Sequence, residues 1–411
     1  MSSFISNENT PLSNTKTLLT KSSQSHFDLQ TLQSLSLNSS HQQIIRDYTL
    51  LKQLGKGAYA SVYLCQHNKS KKLYAMKIID KFFLSQHNKT NDVLIEKAML
   101  SSINHSNIIK LIQTFQSKSK LFFILELATN STLDVLIEKY PFVLSHKCIK
   151  TFCFQIAKAL KYLHMKKLIV HRDIKPANIC LDENYNVKLI DFASGTEIGK
   201  VFNAKNKCFE KEKEDVNYIK EPIGSYEYVS PEMLNCVCMN QSCNDIWSFG
   251  CLVYQLYHKG KTPFKSYCQY DTLKNIKENK QIEFDVNIPL DAKDLIMKCL
   301  QFDYKIRINI EDVLSHEYFS SYNENEFNIK EHIDMLIYEY ENGNNFKKYE
   351  ELYKEEDKTL VEEGEEEEEN IINTDDMDMC NKKFSSNCVY HNYLQNEKKE
   401  IIYKKADNWF I

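Results

Sequence analysis

The eight residues "HRDIKPAN", positions 171 to 178, constrain this chain more than any other stretch. They place a carboxylate (Asp173), an ammonium (Lys175) and a carboxamide (Asn178) within one short segment. In that order Asp173 can accept a hydroxyl proton, Lys175 can steady a transferring phosphoryl group and Asn178 can hold a metal ion. Thirteen residues after Asn178, "LIDFA" supplies Asp191, a carboxylate of the kind that binds Mg²⁺.

Glycine is scarce, nine residues in all, so its placement is informative. Gly55 and Gly57 fall in "LGKGAYASV", between the strand-like runs "YTLLKQLG" and "SVYLCQ". Backbone without a Cβ can approach phosphates closely and offer them its N–H groups. Taken alone the pair reads better as a plain β-turn, and Ala60 stands where a third glycine would complete a GxGxxG pattern. Downstream, "YAMK" sets Lys77 on the next strand, within reach of nucleotide phosphates. "LIEKAML" sets Glu96 on the following helix, nineteen residues on, where it can pair with Lys77.

Composition narrows the class. The chain has 411 residues, an apolar fraction of 42% and a net charge of −4, enough for a large core and too little charge for nucleic-acid wrapping. No run approaches the ~20 apolar residues of a membrane span, and the N-terminus lacks the apolar core of a secretory signal. Thirteen cysteines in such a chain read as reduced thiols of a cytoplasmic or nuclear protein. Cys236, Cys238 and Cys243 cluster in "CVCMNQSC" without a fourth ligand at zinc spacing.

Residues 1–44 are rich in Ser, Thr, Asn and Gln and read as a disordered arm. From 45 to 320, strand-like runs come first and helical patterns follow Thr132, notably "IKTFCFQIAKALKYLHMKK". That order predicts an α+β chain of two lobes, a β-rich one over about 45–128 and an α-rich one over about 129–320. Residues 321–411 form an acidic tail that opens on the helical pattern "NIKEHIDMLIYEYE" and passes through "EEGEEEEEN" to "NWFI".

The ordered set of motifs resembles a protein kinase, and the Lys of "HRDIKPAN" is similar to the Ser/Thr branch. "SPE" (Ser230 to Glu232) resembles the close of an activation segment, Arg307 matches the arginine that pairs with its Glu, and Asp245 in "DIWSFG" matches the acid that holds the catalytic loop. Within the AGC group, "YVSPEML", "TFQSKSKLFFILELATNSTL" and "CNDIWSFGCLVYQLYHKGKTPF" look most like the phosphoinositide-dependent protein kinase family. The resemblance implies a two-lobed kinase fold that binds ATP and Mg²⁺ between the lobes. The nucleotide would meet Leu54, Gly55, Lys56, Gly57, Ala58, Val62, Ala75, Lys77, Glu126, Ala128 and Thr132. It also implies a small-lobe pocket for the phosphorylated aromatic tails of protein substrates, made by Lys81, Leu84, Val93, Leu94, Lys97, Thr114, Gln116 and Leu121. Ordinary helix-to-sheet packing would use the same aliphatics.

Several positions depart from that family. The tail shows no pleckstrin-homology pattern, which argues against phosphoinositide recruitment. Thr132 stands where an acid often meets the ribose. The segment from Asp191 to Glu232 carries an inserted charged stretch, "KNKCFEKEKED". Ala193 replaces the glycine of the Asp-Phe-Gly turn, which predicts either a biased turn or a misplaced Asp191. Glu221 occupies the position of the activating phosphate, with Arg172 as the expected partner; Glu brings one charge where a phosphate brings roughly −1.5 to −2. Two functions follow: an active Ser/Thr kinase acting on activation-loop hydroxyls of other AGC kinases, or a nucleotide-binding scaffold disabled by Ala193 and the long activation segment.

Overall fold

The computed structural model describes residues 47–341, apart from 58–59, 204–205, 207, 212–223, 238, 286–287, 321 and 325. The N-terminal arm, Ala58, Glu221, most of the charged insertion and the acidic tail beyond 341 lie outside those residues.

The small lobe is a five-stranded antiparallel sheet, β1 (Tyr48–Lys56), β2 (Ala60–His67), β3 (Leu73–Asp80), β4 (Leu111–Gln116) and β5 (Lys120–Leu125), in the order β1-β2-β3-β5-β4. Two helices, α1 (Lys81–Gln86) and α2 (Thr90–Ser102), lie between β3 and β4. Asp80 starts α1 sharply, because its Oδ1 accepts the orphan N–H groups of Phe82 (2.9 Å) and Phe83 (3.2 Å). Register in the sheet positions the chemistry: Val62 pairs with Gly55 on one side and with Lys77 on the other.

The large lobe carries α3 (Leu133–Lys139), α4 (His146–Lys161), β6 (Ile169–Val170), β7 (Ile179–Leu181), β8 (Val187–Leu189) and β9 (Thr196–Glu197). Then come β10 (Lys200–Asn203), β11 (Cys208–Lys211), α5 (Pro231–Leu234), α6 (Cys243–Tyr257), α7 (Gln269–Lys277), α8 (Leu290–Cys299), α9 (Ile310–Leu314), α10 (Glu317–Ser320) and α11 (Ile329–Glu341). Helix α4 begins at Ser145, whose Oγ caps the Cys148 N–H, and runs into a π-helical turn that Leu168 ends in the left-handed region (φ 55°). Helix α6 is apolar nearly all round and is correspondingly buried. Gly250 lets it approach α8, since a Cβ there would stand 2.7 Å from that of Cys299.

Part of the charged insertion is ordered as a hairpin, β10 paired with β11. The helical pattern that opened the tail is α11, which packs on the large lobe through buried Ile329, Ile333 and Ile337. Tyr185 Oη donates to Asp334 (3.2 Å), and the Tyr340 ring meets Tyr140 edge to face. No described helix is long and apolar enough to cross a membrane, and the described cysteines are all free thiols.

Candidate active site

Lys77 and Glu96 meet as the sequence spacing predicts: Nζ lies 2.6 and 2.7 Å from the two carboxylate oxygens. Helix α2 is therefore docked inward, with Glu96 buried beneath β3. Burial pushes the Glu96 carboxyl above its ordinary range, against the opposing pull of the Lys77 ammonium.

A column of packed groups joins α2 to the base of the large lobe. Met99 and Phe192 share the core, and the Phe192 ring stands edge to face on His171 with centroids 4.7 Å apart. Asp245, the first acid of α6, then fixes the catalytic loop. Its Oδ2 accepts from His164 Nε2 (2.8 Å) and the His171 N–H (2.8 Å), and its Oδ1 accepts the Arg172 N–H (2.8 Å). Burial alone would raise this carboxyl; the His164 hydrogen bond and neighbouring imidazoles hold it below the usual range. Arg172 itself sits at φ 64°, a left-handed conformation that those two backbone bonds hold in place.

Asp173 is the next residue, and both its oxygens are engaged. Oδ2 accepts from Lys175 Nζ (2.8 Å) and Asn178 Nδ2 (2.7 Å), and Oδ1 accepts the Ser225 N–H (3.1 Å) and Oγ–H (3.1 Å). Burial raises the carboxyl, but Lys175, His171 and Asn178 outweigh it, so Asp173 stays below the ordinary carboxylate range and is ionised at neutral pH. Lys175 Nζ also donates to Ser225 Oγ (2.6 Å). No sequence motif pointed to Ser225; its neighbour Gly224 explains the pairing. Gly224 lies at φ 104°, and a Cβ there would stand 2.6 Å from the Arg172 carbonyl oxygen, so only glycine brings the segment this close to the catalytic loop.

The expected metal ligands fit a hard divalent cation. Asn178 spends its N–H groups on Asp173, on the carbonyl oxygen (2.8 Å) as well as Oδ2, which turns its own Oδ1 to the opposite side. Asp191 lies at φ 62°, and Ala193 N–H reaches its Oδ1 at 3.4 Å. Two oxygen donors of this kind suit Mg²⁺. Ala193 is not among the described residues with positive φ, so its methyl costs the turn no left-handed strain.

Around the cleft, Gly55 faces open space, Gly57 lies against Ala60 with its N–H bonded to the Ala60 carbonyl (2.7 Å), and Leu54 and Lys56 are exposed on β1. Ala75 pairs with Leu125 across β3 and β5, and Ala128 lies in the connection from β5 to Thr132. Thr132 stands at the start of α3, bridged to Cys180 of β7. Glu126 forms an ion pair with the buried Lys188 of β8 (2.6 Å), a contact no sequence pattern suggested.

Arg172 carries a network of its own. Nε donates to the Ser194 carbonyl (2.6 Å), Nη1 to Asn240 Oδ1 (2.9 Å) and Nη2 to the Gly195 carbonyl (3.4 Å). These acceptors are neutral, and burial draws the guanidinium down to about 10. The expected partner, Glu221, is outside the described residues. Glu232 and Arg307 form a bidentate pair (2.5 and 2.9 Å) with both side chains buried, beside Trp247.

On the small lobe a pocket of about 120 Å³ is lined by Val93, Lys97, Thr114, Phe115, Gln116, Leu121 and Phe123. Five of these are residues the resemblance implied; Phe115 and Phe123 were missed. Lys81, Leu84 and Leu94 do not line it. All three are buried, and Leu84 belongs with Ile79 in the packing between α1, α2 and the sheet.

Comparison with known proteins agrees with this geometry. The protein kinase domain family matches residues 48–319. The chain belongs to the protein kinase family. It is 37% identical over 281 residues to serine/threonine-protein kinase PKH2 of Saccharomyces cerevisiae, covering 68% of this chain and 25% of that protein. It is 37% identical over 292 residues to serine/threonine-protein kinase PKH1 of the same yeast (68% and 36%). It is 34% identical over 297 residues to 3-phosphoinositide-dependent protein kinase B of Dictyostelium discoideum (72% and 31%). The chain therefore spans between a quarter and about a third of the length of these relatives, and the likeness is carried by the kinase domain.

Proposed function

We propose that this chain is an active, ATP-dependent Ser/Thr protein kinase of the phosphoinositide-dependent-kinase type. The observation that carries the reading is the simultaneous closure of Lys77 on Glu96 and of Lys175 and Asn178 on an ionised Asp173. The scaffold reading rested on the long activation segment and on Ala193; the Ala193 backbone avoids the left-handed region where a methyl would be penalised.

ATP binds between the lobes, with Lys77 and the Gly55–Gly57 backbone on its phosphates. Asn178 and Asp191 would hold Mg²⁺, which would neutralise charge on the phosphates. A substrate hydroxyl replaces Ser225 Oγ at Asp173 Oδ1. Its oxygen bonds to the γ-phosphorus as the bond to the β–γ bridging oxygen breaks; ADP leaves and Asp173 takes the hydroxyl proton. Lys175 offsets negative charge on the moving phosphoryl group. Positioning and charge stabilisation carry most of such catalysis.

The substrates in this reading are activation-segment hydroxyls of other AGC kinases, held by a phosphorylated aromatic tail in the small-lobe pocket, with Lys97 meeting the phosphate. Glu221 supplies the anion for Arg172, so transfer needs no phosphate on the chain's own loop. The test is transfer from Mg-ATP to an AGC activation-segment polypeptide with and without such a tail, by the parent, Lys97→Ala and Lys77→Met. A tail preference that Lys97→Ala abolishes supports the docking. Equal use of both substrates refutes it. Transfer no better than that of Lys77→Met refutes the kinase reading itself.

A further inference from the structure

Asn240 lies in the connection before α6, in a Cys-rich stretch with no periodicity, and the reaction described above gives it nothing to do. It is nevertheless buried, and its two ends hold two different parts of the large lobe. Its side-chain oxygen accepts from Arg172 Nη1 at 2.9 Å. Its backbone carbonyl accepts from the Gly199 N–H at 3.0 Å, directly before the inserted hairpin β10–β11.

Arg172 is the residue on which this converges. Its backbone is held left-handed by Asp245 and abuts Gly224, and the next residue is Asp173. Its side chain gathers Ser194 and Gly195, which follow the Asp191 turn. The guanidinium thus ties the proton acceptor, the segment after the metal ligand and the root of the hairpin into one body. Two of its three acceptors are backbone carbonyls of the segment being held. Asn240 is the acceptor that comes from outside it, carried on the connection into the rigid helix α6.

We infer that Asn240 is a positioning residue for the transfer reaction: a built-in, uncharged latch that fixes Arg172, and through it Asp173 and the Asp191 turn, without any loop anion. A neutral oxygen holds the geometry without adding a countercharge of its own to Arg172, on which the Asp245 and Asp92 carboxylates already act. An anion arriving nearby therefore adds to a frame already assembled rather than creating it. Asn240 acts through Arg172 and meets neither nucleotide nor substrate. The inference rests on the kinase reading for its catalytic consequence, but not for its structural one.

Two variants test it in phosphatase-treated full-length protein. Asn240→Leu keeps the branching at Cγ and removes the acceptor; Asn240→Asp keeps an oxygen in the same place. Hydrogen exchange reads the latch whether or not the chain transfers phosphate. Faster exchange over 171–173 and 194–203 in Asn240→Leu, with Asn240→Asp near the parent, is expected, and unchanged exchange in Asn240→Leu overturns the inference. In the transfer assay Asn240→Leu is expected to lower kcat by about 10- to 100-fold, with the KM for ATP within about threefold, because catalytic groups shift while nucleotide contacts remain. Adding Asn240→Leu to Arg172→Ala costs nothing further if the effect runs through Arg172. Full kcat in Asn240→Leu, equal loss in Asn240→Asp, or additive losses in the double variant each overturn it. An inactive parent would instead refute the kinase reading, leaving the exchange result to decide on the latch.

Discussion

Arg307→Met removes one half of the Glu232–Arg307 pair and leaves a carboxylate in the core. Both side chains are shielded, at 0% and 2% exposure, and Arg307 also donates to the Gln301 and Cys243 carbonyls. Stranding a buried charge costs about 3–5 kcal/mol. For a domain of this size each kcal/mol moves the midpoint by about 2–4 °C, so Tm should fall by about 6–20 °C. Adding Glu232→Leu removes the stranded charge and should return most of that loss. It cannot return all of it, since the Gln301 and Cys243 carbonyls still lack donors, at about 1 kcal/mol each. Thermal and urea unfolding of the parent, single and double variants is the assay. A single variant within about 1 kcal/mol of the parent, or a double variant less stable than the single, would refute the reasoning.

Four further outcomes follow from the geometry. Ala193→Gly should keep transfer within about threefold of the parent, because Ala193 is not left-handed; a larger gain would show that the methyl restrains the turn. Gly224→Ala should cut kcat by about 100-fold, as its Cβ would meet the Arg172 carbonyl at 2.6 Å and displace the catalytic loop; near-parent kcat would contradict that packing. Ile333→Ala, fully buried on α11, should cost about 2–5 kcal/mol of stability in urea unfolding, and a smaller loss would mean that α11 is not docked. In Lys77→Met, Glu96 keeps its burial and loses its cation, so its folded pKa rises further above the unfolded value. A group raised in the folded state contributes less as pH climbs, so this variant should lose stability from about pH 5 toward pH 8 more steeply than the parent, and parallel profiles would refute the assignment.

The candidate site residues were legible because each lies in a short motif whose side chains are chemically uncommon in combination. Lys77 and Glu96 could be paired from the order of a strand and a following helix, although α1 intervenes between the two elements that carry them. Helix α11 showed its apolar stripe in the sequence, and Ile329, Ile333 and Ile337 are the residues it buries. What could not be read depends on contacts between distant segments. Asn240 and Arg172 are joined only by the path of the chain through α6, and the Glu126–Lys188 pair only by the way β8 passes beneath the lobe connection. The bond of Ser225 to Asp173 likewise joins segments far apart in the chain and needs Gly224 to close the approach. For the small-lobe pocket the resemblance implied Leu84 and Leu94, but these side chains are buried away from it, and Phe115 and Phe123 stand on its wall.

The most direct measurement is labelled phosphate transfer from Mg-ATP to an AGC activation-segment peptide, using phosphatase-treated protein beside Asp173→Asn, followed by identification of the phosphorylated amino acid. Label on Ser or Thr that disappears in Asp173→Asn is the result predicted here. A folded protein that binds ATP and yields no label above Asp173→Asn would contradict the account.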